Sequence, residues 1–300
     1  EVYYRVSSRY LVLASPHFRR TLGQWNWGES IKNEKDGLYH IFAEDWDEEA
    51  FLIVLRAIHG LTRQVPKTTS LEMLAKIATI LEYYELEQAE ILEDRTTQWM
   101  QHVKDTCPIP ESYCRDLMLW IYVSWAFNLT PEFEKSTATL IRHSHGWIQF
   151  QDLPLPPGII ALLKEKRRVA LTKFFTELHD LPAQFRAAVY TCPFDSSQSF
   201  ECGIFMFGSL TKELDTWDYT PQPEASYLGI SIHKAYTKAM VGREAVWAPH
   251  SGHQTPKKKR SSFHPCNLSS RLVSARLILM SIRGLNLKEI KGHATPLRLA

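Results

Sequence analysis

Three cysteines and one histidine in the last third of the chain carry the clearest chemical content. Cys192 and Cys202 flank the polar stretch PFDSSQSFE, and His264 and Cys266 stand one residue apart in FHPCNL. Soft thiolates combined with an imidazole suit a tetrahedral zinc ion. A set of three cysteines and one histidine fills all four positions with protein, so the expected cofactor is one structural zinc held by Cys192, Cys202, His264 and Cys266. An enzyme would need an open position beside a general acid or base, and Glu201 is the only carboxylate adjacent to the set in sequence. A zinc-dependent enzyme is therefore the remotest reading. The nine residues between the first two cysteines exceed the usual knuckle spacing. Packing remains the first reading of the four residues, because free cysteine is among the most buried residue types.

Other chemically capable residues form weaker patterns. His143 and His145 in RHSHGWI have the spacing of two ligands on a strand, yet no cysteine or carboxylate lies close in sequence to complete a site. His59 stands near the end of an amphipathic segment, where capping or packing explains it. Lys257, Lys258, Lys259 and Arg260 in TPKKKRSS have the composition of a nuclear-import signal in a polar loop. There is no Ser-His-Asp order, no glycine-rich phosphate loop and no HExxH helix, so catalytic residues and an organic cofactor site are not expected.

The elements that would position these residues are mostly helical. Ser7 and Ser8 can start a short helix after the strand formers Tyr3, Tyr4 and Val6, and Ser15-Pro16 breaks it and starts a second. Acidic residues open DEEAFLIVLRAIHG, with Phe51, Val54, Leu55 and Ile58 on one face and Gly60 as terminator. LEMLAKIATILEYY repeats the pattern after Thr69 or Ser70. Residues 91–181 read as nearly all helix, and DLMLWIYVSWAFNL is apolar almost all round, as a buried central helix requires. KEKRR in the last of these segments reads as a charged, exposed turn. Further on, LGISI reads as a short strand, and Leu272, Ala275, Leu279 and Ile282 share a helical face.

The order of strand, VSSRYLVLASPHF, acidic turn, AFLIVLRAIHG, Val65-Pro66 and LEMLAKIATILEYY resembles the BTB/POZ domain, in the divergent form found in fungal proteins. The resemblance covers roughly residues 1–90. The histidine that many animal members carry where Ser7 stands is absent, and the first strand of that fold would precede Glu1. The helical block after residue 90, and the runs CGIFMFGSL, LGISIHKA and HPCNL, are similar to the region C-terminal to the domain in those fungal proteins. The resemblance implies an α+β fold. Residues 1–90 would form a BTB/POZ domain with helices packed on a small sheet, 91–181 a helical domain, and 182–300 a small mixed module carrying the Cys/His set and a basic loop. It also implies a non-catalytic protein-interaction module, homodimerising or adaptor in kind, whose partner is a second copy or a cullin scaffold.

Composition agrees with a globular chain. The 300 residues are 44% hydrophobic, enough for sizeable cores, and carry a net charge of +2. That total conceals an asymmetry: residues 1–90 hold 10 basic and 14 acidic side chains, and residues 240–300 hold 11 and 2. A nuclear regulator whose basic tail contacts nucleic acid is the second reading, although scattered charge with few interleaved aromatics more often marks a solvated face. No apolar run is long enough to span a bilayer and no leader is evident, so an intracellular protein, in nucleus or cytoplasm and without a membrane partner, is expected. Five cysteines without a dense framework fit a reducing compartment.

Overall fold

A computed structural model describes residues 2–23, 28–86, 88–150, 152–242 and 264–293. These residues form thirteen α-helices: α1 (Ser8–Ala14), α2 (Pro16–Gly23), α3 (Glu48–Ile58), α4 (Leu71–Tyr83), α5 (Gln88–Thr106), α6 (Arg115–Ala126), α7 (Thr130–His143), α8 (Pro157–Arg186), α9 (Ser199–Thr216), α10 (Ile232–Met240), α11 (Leu268–Arg271), α12 (Val273–Ser281) and α13 (Leu287–His293). The expected α+β architecture is overturned, since the described residues contain no strand and no sheet. Tyr3, Tyr4 and Val6 lie in a segment with no ladder partner. LGISI is not a strand either: Gly229 takes φ +79°, and Ser231 accepts from the Lys234 N–H to cap α10. The backbone groups that a ladder would have needed have other partners: the Gly229 N–H donates to the His145 carbonyl, the Ile230 N–H to the Tyr227 carbonyl, and the Ile230 carbonyl accepts from Arg167. None of the described helices is long and apolar enough to cross a membrane.

The chain divides into two compact units. Unit 1 comprises residues 1–137, 150–156 and 285–300, and unit 2 comprises 138–149 and 157–284.

Unit 1 is built around α4, which packs on α3 and on α6. Leu74, Ile77, Ala78 and Leu81 of α4 are fully buried, as are Trp120, Ile121 and Tyr122 of α6. The all-apolar face predicted for α6 is therefore a buried central helix. Polar groups inside this core are paired: Thr79 Oγ1 donates to Tyr122 Oη at 3.2 Å, and Tyr122 Oη donates to Glu82 at 3.2 Å. The Ser-Pro corner is also fixed by hydrogen bonds. Buried Ser15 accepts from the Phe18 N–H to cap α2 and donates to the Tyr84 carbonyl at 2.6 Å, tying the corner to the end of α4. His59 is consumed structurally, accepting from the Ser7 N–H at 2.9 Å while its Nδ1 contacts the Leu55 carbonyl at 2.8 Å.

In unit 2, α9, α10 and α12 pack along the 30-residue helix α8. KEKRR was expected to be exposed throughout, but Arg167 within it is buried. Its guanidinium donates to four backbone carbonyls: Ser144 at 3.1 Å, Ser226 at 3.4 Å, and Tyr227 and Ile230 at 2.7 Å each. A planar five-donor fork can satisfy several carbonyls of an irregular segment at once, which a lysine cannot. Phe175 stacks on Tyr227 with ring centres 5.4 Å apart, closing the apolar side of the same junction.

Each unit offers one anchor to substitution. In unit 1, Asp47 caps α3 through the Ala50 N–H and pairs with Lys76 at 2.8 Å, and the Lys76 hydrogen bond is the main cause that holds its carboxyl below the ordinary range. Asp47→Ala should cost about 1–2 kcal/mol at neutral pH, and Asp47→Asn less, since the amide keeps a capping oxygen. A depressed carboxyl pKa stabilises above its unfolded-state value and loses that contribution as pH falls through the folded-state value, so denaturant titrations at pH 7 and pH 3 should show the penalty shrinking in acid. In unit 2, Arg167→Met should destabilise by about 3 kcal/mol or more, because it strands buried carbonyls, and Arg167→Lys should recover only part of the loss.

Candidate metal centre

The four residues singled out in the sequence converge. Cys192, Cys202, His264 and Cys266 are all buried, and their ligand atoms lie within 4.8 Å of one another. The cluster could bind a metal ion. Cys192 Sγ stands 3.3 Å from His264 Nε2 and 3.7 Å from Cys266 Sγ. Tetrahedral zinc with bonds of about 2.3 Å to sulfur separates two sulfurs by about 3.8 Å, so the Cys192–Cys266 pair has the spacing of such a site.

Local structure explains how two distant limbs meet. Cys192 lies in the loop after α8, where its N–H donates to Ser199 Oγ at 3.0 Å and its sulfur accepts from the Asp195 N–H at 3.5 Å. Asp195 caps the short 3-10 turn Ser196–Gln198 that leads into α9. Cys202 falls in the first turn of α9, at the end of the helix where the macrodipole favours negative charge. Gly203 follows it for a steric reason: a Cβ there would come within 2.9 Å of the Phe185 carbonyl and 3.2 Å of Tyr190 Cδ1. The second limb is short. His264 and Cys266 immediately precede α11, which Asn267 caps by accepting from the Ser270 N–H at 2.8 Å.

Left to themselves, the thiols ionise unequally. Burial raises Cys202, and burial with the neighbouring thiols pushes Cys266 up to about 12. Burial also opposes ionisation of Cys192, but the Asp195 and Phe194 N–H groups, helped by the adjacent thiols, outweigh it and lower that pKa. The Cys266 N–H donates to His264 Nδ1 at 3.2 Å, so Nε2 carries the ring proton and points towards Cys192 Sγ. Ligation of a neutral imidazole through Nε2 would move that proton to Nδ1, which would then give up the bond from the Cys266 N–H.

Sequence reasoning missed two side chains beside the cluster. Tyr190 Oη contacts Cys202 Sγ at 3.3 Å, and Arg271 Nη2 donates to Tyr190 Oη at 2.8 Å. The Tyr-x-Cys spacing places Tyr190 near the loop but gives no sign that it reaches Cys202. Only the contact of both limbs makes Arg271 its neighbour. The other candidates do not assemble into a cluster of this kind. The His143 ring packs against His233 with centres 4.4 Å apart, and neither His143 nor His145 belongs to a group of three or more potential ligands among the described residues. Cys114 is exposed as the N-cap residue of α6, and Cys107 is half-buried near Asp116. The basic cluster Lys257, Lys258, Lys259 and Arg260 lies outside the described residues.

Set against models of known protein families, against curated proteins and against solved structures, the chain matches none.

Loading the cluster requires Cys202 and Cys266 to give up protons they hold at neutral pH. Metal uptake should therefore release at least two protons per ion, and the apparent affinity should rise with pH. Calorimetry at pH 7.5 in buffers of different ionisation enthalpy reads this number directly. Cys192→Ser combined with Cys266→Ser should abolish uptake.

Proposed function

We propose that the chain is a non-catalytic protein-interaction module of the BTB/POZ type in its helical order, and that one structural zinc staples its unit 2. The observation that carries the metal half is the donor set: three sulfurs and one imidazole nitrogen, all buried and converging on one point. Such a set prefers zinc over harder ions and leaves no coordination position for an activated water. Ligation would join limbs 72 residues apart in sequence and contribute directly to the folding of unit 2.

The interaction half rests on the resemblance of residues 1–90 and on the surface they present. Val2, Tyr3 and Val6 are exposed, and α1 turns Tyr10 and Leu13 outwards, at 51% and 66% exposure. Apolar groups grouped on one short segment mark contact surfaces more often than scattered ones do. The partner this reading names first is a second copy of the chain, with an adaptor role towards a scaffold as its extension.

The test has two parts. Elemental analysis should find one zinc per chain, and its removal by chelation should lower the melting temperature. Cobalt in its place should give a tetrahedral spectrum that added azide leaves unchanged. A shift with azide would reveal an open position and overturn the structural assignment. Sedimentation equilibrium should show a dimer, weakened by at least about tenfold when Tyr10→Lys and Leu13→Lys are combined. A monomer at about 100 μM, on the order of a weak dissociation constant, would remove self-association from the reading.

A further inference from the structure

We infer that Tyr190 and Arg271 form the outer shell of the metal centre, with Tyr190 as the positioning residue for Cys202 and Arg271 acting through it. The inference rests on a divalent ion occupying the four-residue cluster, and it adds which other side chains set the behaviour of that ion.

The direction of the hydrogen bonds is decisive. Arg271 can only donate, and its Nη2 is 2.8 Å from Tyr190 Oη. The phenol oxygen is therefore the acceptor in that bond, and its own hydrogen remains to be placed. Cys202 Sγ lies 3.3 Å away. A metal-bound thiolate has no proton to give, so once the ion is in place the phenol O–H donates to sulfur. The result is a one-way chain from guanidinium to phenol to thiolate.

The chemistry of the centre requires such a chain. Three thiolates, one neutral imidazole and a divalent ion sum to one net negative charge in a buried place, which is costly unless donors or a cation face it. Cys192 already receives the Asp195 N–H. Cys202 receives Tyr190, and behind Tyr190 stands a positive charge. The ring that delivers the hydroxyl is held in place: it meets Phe185 edge-on at 5.8 Å and lies against Gly203, where a Cβ would come within 3.2 Å of the ring and 2.9 Å of the Phe185 carbonyl.

The connectivity doubles the staple. Tyr190 belongs to the limb that provides Cys192, and Arg271 ends α11 on the limb that provides His264 and Cys266. Their bond crosses between the same two limbs that the metal joins, so breaking it loosens the ion without removing a ligand.

The experiment uses the full chain loaded with cobalt for spectroscopy and with zinc for release kinetics. Tyr190→Phe removes one oxygen atom and leaves the ring. It should move the thiolate-to-cobalt charge-transfer band to lower energy, since a thiolate that has lost a hydrogen bond is more electron-rich. It should also speed zinc transfer to a chromophoric chelator by about tenfold or more, in the range typical of lost outer-shell partners. Arg271→Gln should shift the band the same way by less, and adding it to Tyr190→Phe should change nothing further. A residue that merely packed the site could alter release but would leave the band in place. An unshifted band with release within about twofold of the parent, in protein that loads one ion per chain, would overturn the inference. Failure of the parent itself to take up cobalt or zinc would overturn the metal reading beneath it, and the two results are told apart by the parent's spectrum.

Discussion

Three thiols and an imidazole crowded into one buried space are the constraint on which unit 2 depends. Burial opposes ionisation of every sulfur there, but with unequal outcome: backbone N–H groups outweigh it at Cys192 and favour that thiolate, while Cys202 and Cys266 resist. A divalent ion bound there would remove the conflict by exchanging protons for a single central charge. The surrounding structure brings the four side chains together. The capped turn at Asp195 aims Cys192, the first turn of α9 presents Cys202, and Gly203 admits the Tyr190 ring.

Unit 2 has a second anchor of a different kind. Arg167 gathers the carbonyls of residue 144 and residues 226–230 onto α8, giving an irregular segment the hydrogen bonds that regular structure would otherwise supply. Unit 1 uses smaller devices for the same purpose. A capping aspartate, a buried serine and a tyrosine between α4 and α6 each satisfy backbone or core polar groups that helix packing leaves over. In both units the apolar cores are broad, and a few polar side chains fix how the helices end.

The helical parts were legible in the sequence because they obey local rules. Ser15-Pro16, Asp47 with Glu48 and Glu49, Ser70 and Gly60 mark helix ends where the structure has them, and the apolar run around Trp120 is the central helix. The four cluster residues were named as a set from residue type, but behind the packing reading, since the spacing of residues 192, 202, 264 and 266 does not fix a geometry. What failed was the sheet. Tyr3, Tyr4, Val6 and LGISI have strand composition, but composition does not supply a pairing partner, and a serine cap with a left-handed glycine turns the second into the start of α10. Arg167 was hidden for the opposite reason: in KEKRR it is one charge among several, and only the arrival of residues 226–230 makes it an interior residue. Tyr190 and Arg271 were invisible because their roles depend on contact between limbs 81 residues apart.

The separation of the two limbs has a consequence for how the protein is made. A ribosome completes Cys192 and Cys202 well before it reaches His264 and Cys266. Two thiols alone form a weak site, so the nascent chain holds no ion firmly until the second limb has emerged. Capture of a metal ion by the cluster would then coincide with completion of unit 2, and it would mark chains finished through residue 266. Truncated products that stop short would lack the second pair of side chains and any cross-connection an ion could make between the limbs.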